Sequence, residues 1–198
     1  MGMPAMRRRW TSADVRDLID ESRAWPRYEL IDGELVVTPS PGNPHQLFLG
    51  ELFLLIAPYV EREALGLTYF SPSDLELRKG SITQPDLFVV PAQPGPDDVE
   101  RGWSDIKGLL LAVEVISPSS VRTDRVIKRD FYMESNVAEY WIVDVDAGLV
   151  ERWTPERESP LVDRTTLTWK PRGAAHALTV DLPPLFEKVR ARARWIWK

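Results

Sequence analysis

Residues 109–116 form a continuous apolar run, Leu-Leu-Leu-Ala-Val-Glu-Val-Ile, interrupted by one carboxylate, Glu114. Such a run is typical of a strand that is buried on both faces, as in the centre of a sheet covered by helices. Burying an ionised carboxylate costs several kcal/mol unless the group is paired or binds a metal. The sequence therefore predicts a central strand and a specific partner for the charge of Glu114.

The segments that follow this strand predict a mixed sheet. A helix is expected over about residues 122–134, and a second apolar strand over 139–144 turns at Asp146-Ala147-Gly148 into a strand over 149–153. The order strand, helix, strand implies one right-handed parallel crossover in an otherwise antiparallel sheet. The fold class is therefore α/β, or α+β, with a mixed sheet core flanked by helices.

The N-terminal part predicts a β-hairpin extension followed by a long helix. The hairpin turns at Asp32-Gly33, the strongest short-range hairpin signal in the chain. Asn43 and Pro44 start a helix that runs to about Leu65 and is apolar around most of its circumference. The other expected elements are a helix at 12–22, strands at 28–31, 35–38, 67–70, 74–78, 84–90 and 161–169, a surface excursion at 91–105 and a basic tail from about 188.

The length of 198 residues fits one domain. We expect an N-terminal flank over residues 1–24, a core over 25–155, and an extension over 156–198 that packs on the same domain. The longest apolar stretch contains Gly50, Glu51 and Pro58 and is shorter than the roughly 20 residues of a membrane span. These features predict a cytoplasmic protein with no membrane partner.

The amino-acid composition excludes several kinds of metal site and catalytic nucleophile. The absence of cysteine excludes disulfides, thiolate metal sites and a cysteine nucleophile, and two histidines, His45 and His176, are too few for a three-histidine zinc site. A metal would therefore sit on carboxylates, which favours Mg²⁺ or Mn²⁺. The net charge of −5 argues against binding nucleic acid by bulk electrostatics, but a local basic patch could still bind phosphate.

Asp86 is a second carboxylate in an apolar setting, since Pro85 precedes it and an apolar strand follows it. If this strand neighbours that of Glu114, the two carboxylates can converge at one end of the sheet and hold a divalent cation. The plainer interpretation is that Asp86 caps a turn and Glu114 pairs with an arginine.

Lys128 lies on the face of its helix that should pack inward. At 100° per residue it falls between Phe131 and Tyr132, with Asp124 on the same side. A lysine there either extends to solvent or points at a carboxylate. Three arginines, Arg122, Arg125 and Arg129, fall on another side, where they form a solvated face or contact phosphates.

Five ordered segments resemble the Uma-two family of endonucleases, which is similar in fold to the restriction enzymes of the PD-(D/E)XK superfamily. The resemblance covers about residues 25–155. The segments are Tyr-Glu-Leu-Ile-Asp-Gly-Glu-Leu at 28–35, Gln-Pro-Asp at 84–86, Val-Glu-Val-Ile-Ser-Pro-Ser at 113–119, the stretch 124–132, and Glu-Tyr-Trp-Ile-Val-Asp at 139–144.

The resemblance implies a restriction-endonuclease-like core and a metal-dependent endonuclease that acts on DNA. Asp86 and Glu114 would be the metal-binding acids. The superfamily's lysine position is occupied by Ile116, and Lys128 on the next helix is the candidate replacement. Further cleft candidates are Glu34, His45, Ser117, Asp124 and Tyr132.

Two other function classes stay open. A glycosidase could use Asp86 and Glu114 as an acid/base pair, and eight tryptophans could supply an aromatic sugar groove. A catalytically inactive module of the same fold could bind nucleic acid or form a dimer. The family resemblance also implies a homodimer, and the long apolar helix is a candidate for its interface.

Overall fold

The computed structural model describes residues 9–21, 26–92 and 102–195. Within these ranges the α-helices are α1 (Ser12–Glu21), α2 (Asn43–Arg62), α3 (Arg129–Met133) and α4 (Leu182–Trp195). The strands are β1 (Arg27–Ile31), β2 (Glu34–Thr38), β3 (Gly66–Phe70), β4 (Leu87–Pro91), β5 (Leu111–Val115), β6 (Tyr140–Asp144), β7 (Leu149–Trp153), β8 (Leu161–Asp163), β9 (Thr166–Trp169) and β10 (Leu178–Asp181). A 3₁₀ turn spans Trp103–Asp105, and a π-helix, Thr123–Lys128, leads directly into α3.

The central sheet has the strand order β3-β4-β5-β6-β7-β8. Strands β5 and β6 are parallel, and the other neighbouring strands are antiparallel. The predicted fold class, a mixed sheet flanked by helices, is confirmed. Every residue of β5 is buried, as expected for a central strand that carries a continuous apolar run.

The two faces of the sheet carry different cores. On one face, Val113 and Trp141 pack with side chains of α2 and α4. On the other, Ala112 packs with Phe131 and Tyr132 of α3. Because successive side chains of a strand point to opposite faces, Glu114 shares the face of Ala112 and is directed towards the π-helix and α3.

The N-terminal ribbon β1–β2 is held against the rest of the chain at several points. Leu30 and Ile82 exchange two backbone hydrogen bonds, and Arg78 reaches Asp32 at the turn and Glu134 after α3. The ribbon is therefore a tethered extension, and its position controls where the side chains of β1 lie.

Several predicted elements differ from the structure. Residues 74–78 form no strand, since their pairing with Thr83 through Leu75 is an isolated bridge rather than part of a ladder. The expected strand over 161–169 is two strands, β8 and β9, because the chain turns between Asp163 and Thr166. Helix α2 ends at Arg62 rather than near Leu65. Part of the expected excursion, residues 93–101, lies outside the described residues.

Helix α4 is the largest difference from the sequence prediction, which gives residues 182–195 only as part of an extension with a basic tail. In the structure, four apolar side chains at helical spacing, Leu182, Leu185, Phe186 and Val189, pack into the same core as α2. None of the helices in the described ranges is both long and apolar enough to cross a membrane.

Candidate active site

A pocket of about 110 Å³ opens where β1, the start of α2, the residue before β4, the end of β5 and the π-helix meet. Seven ionisable side chains among the described residues line it: Arg27, Glu29, His45, Asp86, Glu114, Asp124 and Lys128. Since β4 and β5 are neighbours in the sheet, Asp86 and Glu114 reach the same end of it. This is the convergence that the sequence predicts for the two acids.

Asp86 is held by three donors. Arg27 Nη1 lies 3.2 Å from Oδ1, while His45 Nε2 and the backbone N–H of Val115 lie 2.8 and 3.0 Å from Oδ2. Burial alone would raise the pKa of Asp86, but the hydrogen bond and charge of His45, with the charges of Arg27 and Lys128, lower it to about 2. Asp86 is therefore an ionised carboxylate at neutral pH.

Glu114 shares its partner with a second acid. Lys128 Nζ lies 2.9 Å from Oε1 of Glu114 and 2.8 Å from Oε2 of Glu29, and all three residues are buried. Tyr132 also donates its hydroxyl to Oε1 of Glu114 at 3.1 Å. Burial raises the pKa of Glu114 well above its usual range, opposed by Lys128 and reinforced by Asp86, Asp124 and Glu29.

The π-helix brings Asp124 and Lys128 to the pocket. The two residues are four positions apart, and both are buried in a segment whose widened turn is a feature often found at functional sites. Burial raises the pKa of Asp124 to about 6, against the opposing effects of Lys128 and of a hydrogen bond with Ser120. Burial would lower the pKa of Lys128, but the surrounding carboxylates raise it well above its usual value, so its ammonium stays charged.

The pocket has more acids than bases. Among the described residues it contains four carboxylates, from Glu29, Asp86, Glu114 and Asp124, against the permanent cations Arg27 and Lys128 and one histidine. An excess of buried carboxylate oxygens is the chemistry that a hard divalent cation offsets.

The donor set fits Mg²⁺ or Mn²⁺ in a particular way. In the described part of the chain, no group of three histidine or acidic side chains is arranged to hold a metal. Mg²⁺ is commonly bound through one or two carboxylates, with water and substrate phosphate completing its shell. Asp86 and Glu114 match that pattern, with Oε2 of Glu114 accepting none of the hydrogen bonds described above.

Most of the predicted cleft residues lie at the pocket. His45, Ser117 and Asp124 line it, and Tyr132 lies behind Glu114. Glu34 does not, because it is exposed beside the turn of the hairpin and is absent from the pocket lining. The structure thus places Glu34 apart from the other candidates.

The three arginines of the predicted phosphate-binding face differ in their surroundings. Arg125 pairs with Glu151 and Asp144, and Arg129 pairs with Asp130 and stacks over the ring of Trp153. Arg122 is exposed. Two of the three guanidinium groups are therefore engaged within the chain.

The sequence analysis missed two residues of the pocket, Glu29 and Arg27. Both lie on β1, on the same face of the strand as Ile31, a residue of the core under α3. The apolar Ile31 could have identified them, because residues i, i+2 and i+4 of a strand lie on the same face. The cleft prediction instead names Glu34, at the start of the other strand of the same hairpin.

The lining of the pocket bears on the glycosidase alternative. Sugar grooves present aromatic faces, and no aromatic side chain appears among the described residues that line this pocket. Trp141 and Trp153 are buried against the sheet. The geometry gives no support to a carbohydrate site.

Comparisons with known proteins agree with this architecture. A family model described as "Uma2: Putative restriction endonuclease" matches residues 13–184. The solved structure of a protein described as a putative nuclease belonging to DUF820, from Anabaena variabilis, superimposes with a TM-score of 0.72. At 20% identity the match covers 91% of this chain and 99% of that chain, and it supports the fold alone. A search of curated proteins gives no significant match.

Proposed function

The chain belongs to the Uma2 family, and from this premise and the pocket geometry we propose that it is a metal-dependent endonuclease that hydrolyses phosphodiester bonds in DNA. One observation carries the proposal: two carboxylates on adjacent strands, Asp86 and Glu114, line one pocket with a buried lysine, Lys128. The excess of acidic side chains over basic ones in that pocket supports a divalent cation, Mg²⁺ or Mn²⁺, as its cofactor.

Asp86 and Glu114 would hold the cation. When bound, such an ion polarises a phosphate and lowers the pKa of water at its surface. Asp86 is suited to this task because it is ionised at neutral pH, and His45 and Arg27 fix its orientation.

Lys128 supplies a compact positive charge beside these acids. Its ammonium is buried and held by two carboxylates, so it can stabilise the negative charge that develops on a phosphate in the transition state without first being ordered. Lys128 would thereby replace the lysine that the superfamily pattern places at residue 116.

Contacts with the DNA backbone would come from basic groups at the pocket and its rim. Arg27 lines the pocket, and Arg122 is exposed at the start of the helical segment that carries Lys128. Hydroxyl groups of Ser117, Ser119 and Ser120 add donors on the same side. These contacts are independent of sequence, so the proposal specifies no base preference.

Cleavage assays test the function directly. Supercoiled plasmid, linear duplex and an RNA of the same sequence are incubated with Mg²⁺, Mn²⁺ or EDTA. We expect DNA cleavage with either metal and none with EDTA, and we expect Asp86→Asn to lower the rate by at least about 100-fold, the upper end of what outer-shell changes cost a metal site.

Glu51→Gln is the matched control, because Glu51 is a buried, ion-paired glutamate outside the pocket. It should cleave like the parent protein. Equal cleavage by the parent and Asp86→Asn would reject the assignment of the site.

A second candidate, the inactive nucleic-acid-binding module, is favoured by one specific observation. Both oxygens of Asp86 already accept hydrogen bonds from protein groups. If those bonds persist in solution with Mn²⁺ present, DNA would bind without being cut. The same assays, run beside a gel-shift measurement, separate binding from cleavage.

We also propose that the protein is a homodimer. Helix α4 covers part of α2, but Leu54 on α2 and Phe70 on β3 remain at least half exposed and line the same shallow pocket. Large apolar side chains grouped in this way are typical of an interaction surface. Sedimentation velocity at micromolar concentration should give the mass of two chains, and a single-chain mass that does not change with concentration would contradict the dimer.

A further inference from the structure

Lys128 is held from two sides by residues of different elements. Its ammonium lies between Glu114 at the end of β5 and Glu29 on β1, at nearly equal distances of 2.9 and 2.8 Å. In the proposed function, Glu114 must share its charge with a cation, which weakens its hold on the ammonium. A second anchor for Lys128 then becomes necessary.

Glu29 has the properties of that anchor. It is 1% exposed, and its other oxygen, Oε1, accepts the backbone N–H of Gln84 at 2.8 Å. One carboxylate oxygen is thus fixed to the main chain just before Asp86, and the other faces Lys128. Glu114 differs, since Lys128 and Tyr132 both donate to its Oε1.

We propose that Glu29 is the positioning residue of Lys128, holding the ammonium in place while Glu114 serves a bound cation. The inference rests on the proposed function, because it assigns Glu29 a role in that same site. It also explains why the hairpin, a peripheral ribbon, contributes an acidic side chain to the pocket: Glu29 on β1 is tied both to the main chain and to Lys128.

A metal-free experiment tests the anchoring by itself. An amine-acetylating reagent is applied to the folded protein, and the modification of each lysine is followed by peptide mass spectrometry. Lys188, whose side chain is 52% exposed, is the reference within each sample. In the parent protein, Lys128 should react at least about tenfold more slowly than Lys188, because reaction requires local opening of a buried ion pair.

Glu114→Gln imitates a Glu114 whose charge is engaged elsewhere. If Glu29 is the anchor, Lys128 stays as slow to react in this variant as in the parent. In the double variant Glu29→Gln and Glu114→Gln, the rate should approach that of Lys188. Rapid labelling of Lys128 in the single variant Glu114→Gln would overturn the proposal, and so would continued protection in a folded double variant.

Two further measurements keep the proposal testable if the double variant does not fold. In Glu29→Gln, addition of Mn²⁺ should raise the labelling rate of Lys128 severalfold, while in the parent protein and in Glu51→Gln it should not. In cleavage assays Glu29→Gln should lower kcat with little change in KM, and Glu29→Asp should restore part of kcat. An unchanged labelling rate and kcat in Glu29→Gln would contradict the role of Glu29.

The labelling and cleavage results distinguish the anchoring role of Glu29 from the proposed nuclease function. Loss of protection in the metal-free double variant supports anchoring by Glu29 even if the protein cuts no DNA. Cleavage that depends on Asp86 while Lys128 is freed by Glu114→Gln alone supports the nuclease and rejects the anchor.

Discussion

Two clusters of buried glutamates in this protein have opposite charge balances. In the pocket, Glu29 and Glu114 share one cation, Lys128, and all three side chains are at most 5% exposed. Between α2 and α4, a single glutamate, Glu51, receives two cations, Lys188 and Arg192, each more than half exposed. In the first cluster the acidic groups outnumber the cation, and in the second the cations, which are in contact with water, outnumber the acid.

The α2–α4 cluster is an ion pair that joins two helices, whereas the pocket cluster belongs to the proposed metal-binding site. Water solvates the outer sides of Lys188 and Arg192, so the α2–α4 cluster carries little electrostatic cost and little net energy. The pocket cluster is desolvated, and its unbalanced carboxylates are costly in the absence of another positive charge. A ligand that brings positive charge is therefore favoured at the pocket and not at the α2–α4 cluster.

The basic residues of the C-terminal region follow the same logic. Beside the two cations that bind Glu51, Arg190 donates to the backbone carbonyls of Val145 and Asp146. These groups attach α4 to the rest of the chain. Three basic residues of the tail, Lys188, Arg190 and Arg192, are thus engaged within the fold, and the phosphate-binding groups of the proposal lie at the pocket instead.

The largest predicted difference between the clusters is in the free energy of unfolding. Lys128→Met should destabilise the protein by about 3–5 kcal/mol, because it leaves buried carboxylates without a cation. Lys188→Met should cost at most about 1 kcal/mol, because the lost pair is exposed on one side. Urea unfolding of both variants measures the contrast, and equal losses would break the comparison.

Packing rather than charge should hold α4 in place. Phe186 stacks on Phe48 of α2 with ring centroids 5.1 Å apart, and both rings are fully buried. Phe186→Ala should therefore cost about 3–5 kcal/mol, as large aromatic-to-alanine changes do in a core. Urea unfolding of this variant beside Glu51→Gln checks the ranking, which is wrong if the charge change proves the more harmful of the two.

An intermediate effect is expected at Tyr132, whose hydroxyl donates to Glu114 and has no counterpart in the α2–α4 cluster. Tyr132→Phe leaves a buried carboxyl oxygen of Glu114 with one hydrogen bond fewer, a loss of about 1–3 kcal/mol. Thermal unfolding at constant pH measures the loss. A negligible change would mean that Glu114 is satisfied without Tyr132.

The smallest effect is the salt dependence of the free energy of unfolding. Because the Glu51 cluster is partly exposed, the parent and Glu51→Gln should differ in stability by about 1 kcal/mol or less. This difference should shrink when salt is raised from about 0.05 to about 1 M, since salt screens the interaction. The difference between the parent and Lys128→Met should change little, since the pocket pairs are shielded from ions. Equal salt dependence would show that the two environments are alike.

The central strands could be predicted from the sequence because their signals are local. The apolar run that holds Glu114 forms β5, and the parallel pairing of β5 and β6 follows from the helix between them. Asp86 was identifiable for the same reason, as a carboxylate next to an apolar strand. Short-range apolar patterns in the sequence are therefore enough to identify Asp86 and Glu114.

Glu29 and α4 required information that is not local. The role of Glu29 depends on which face of the hairpin docks on the molecule, and the contacts of Leu30 with Ile82 and of Arg78 with the turn fix that face. Helix α4 carries a start signal in Pro183 and Pro184 and an apolar stripe, but its many arginines resemble a solvated tail until α2 supplies the surface that it covers.

Calorimetric titration of Mn²⁺ in the absence of DNA measures most directly whether Asp86 and Glu114 hold a divalent cation. The parent protein and Glu51→Gln should each bind the ion with similar affinity, while Asp86→Asn and Glu114→Gln should bind it at least about tenfold more weakly, since each lacks one ligand charge. Binding of equal strength in all four proteins, or no binding in the parent, would contradict the metal site at the centre of this account.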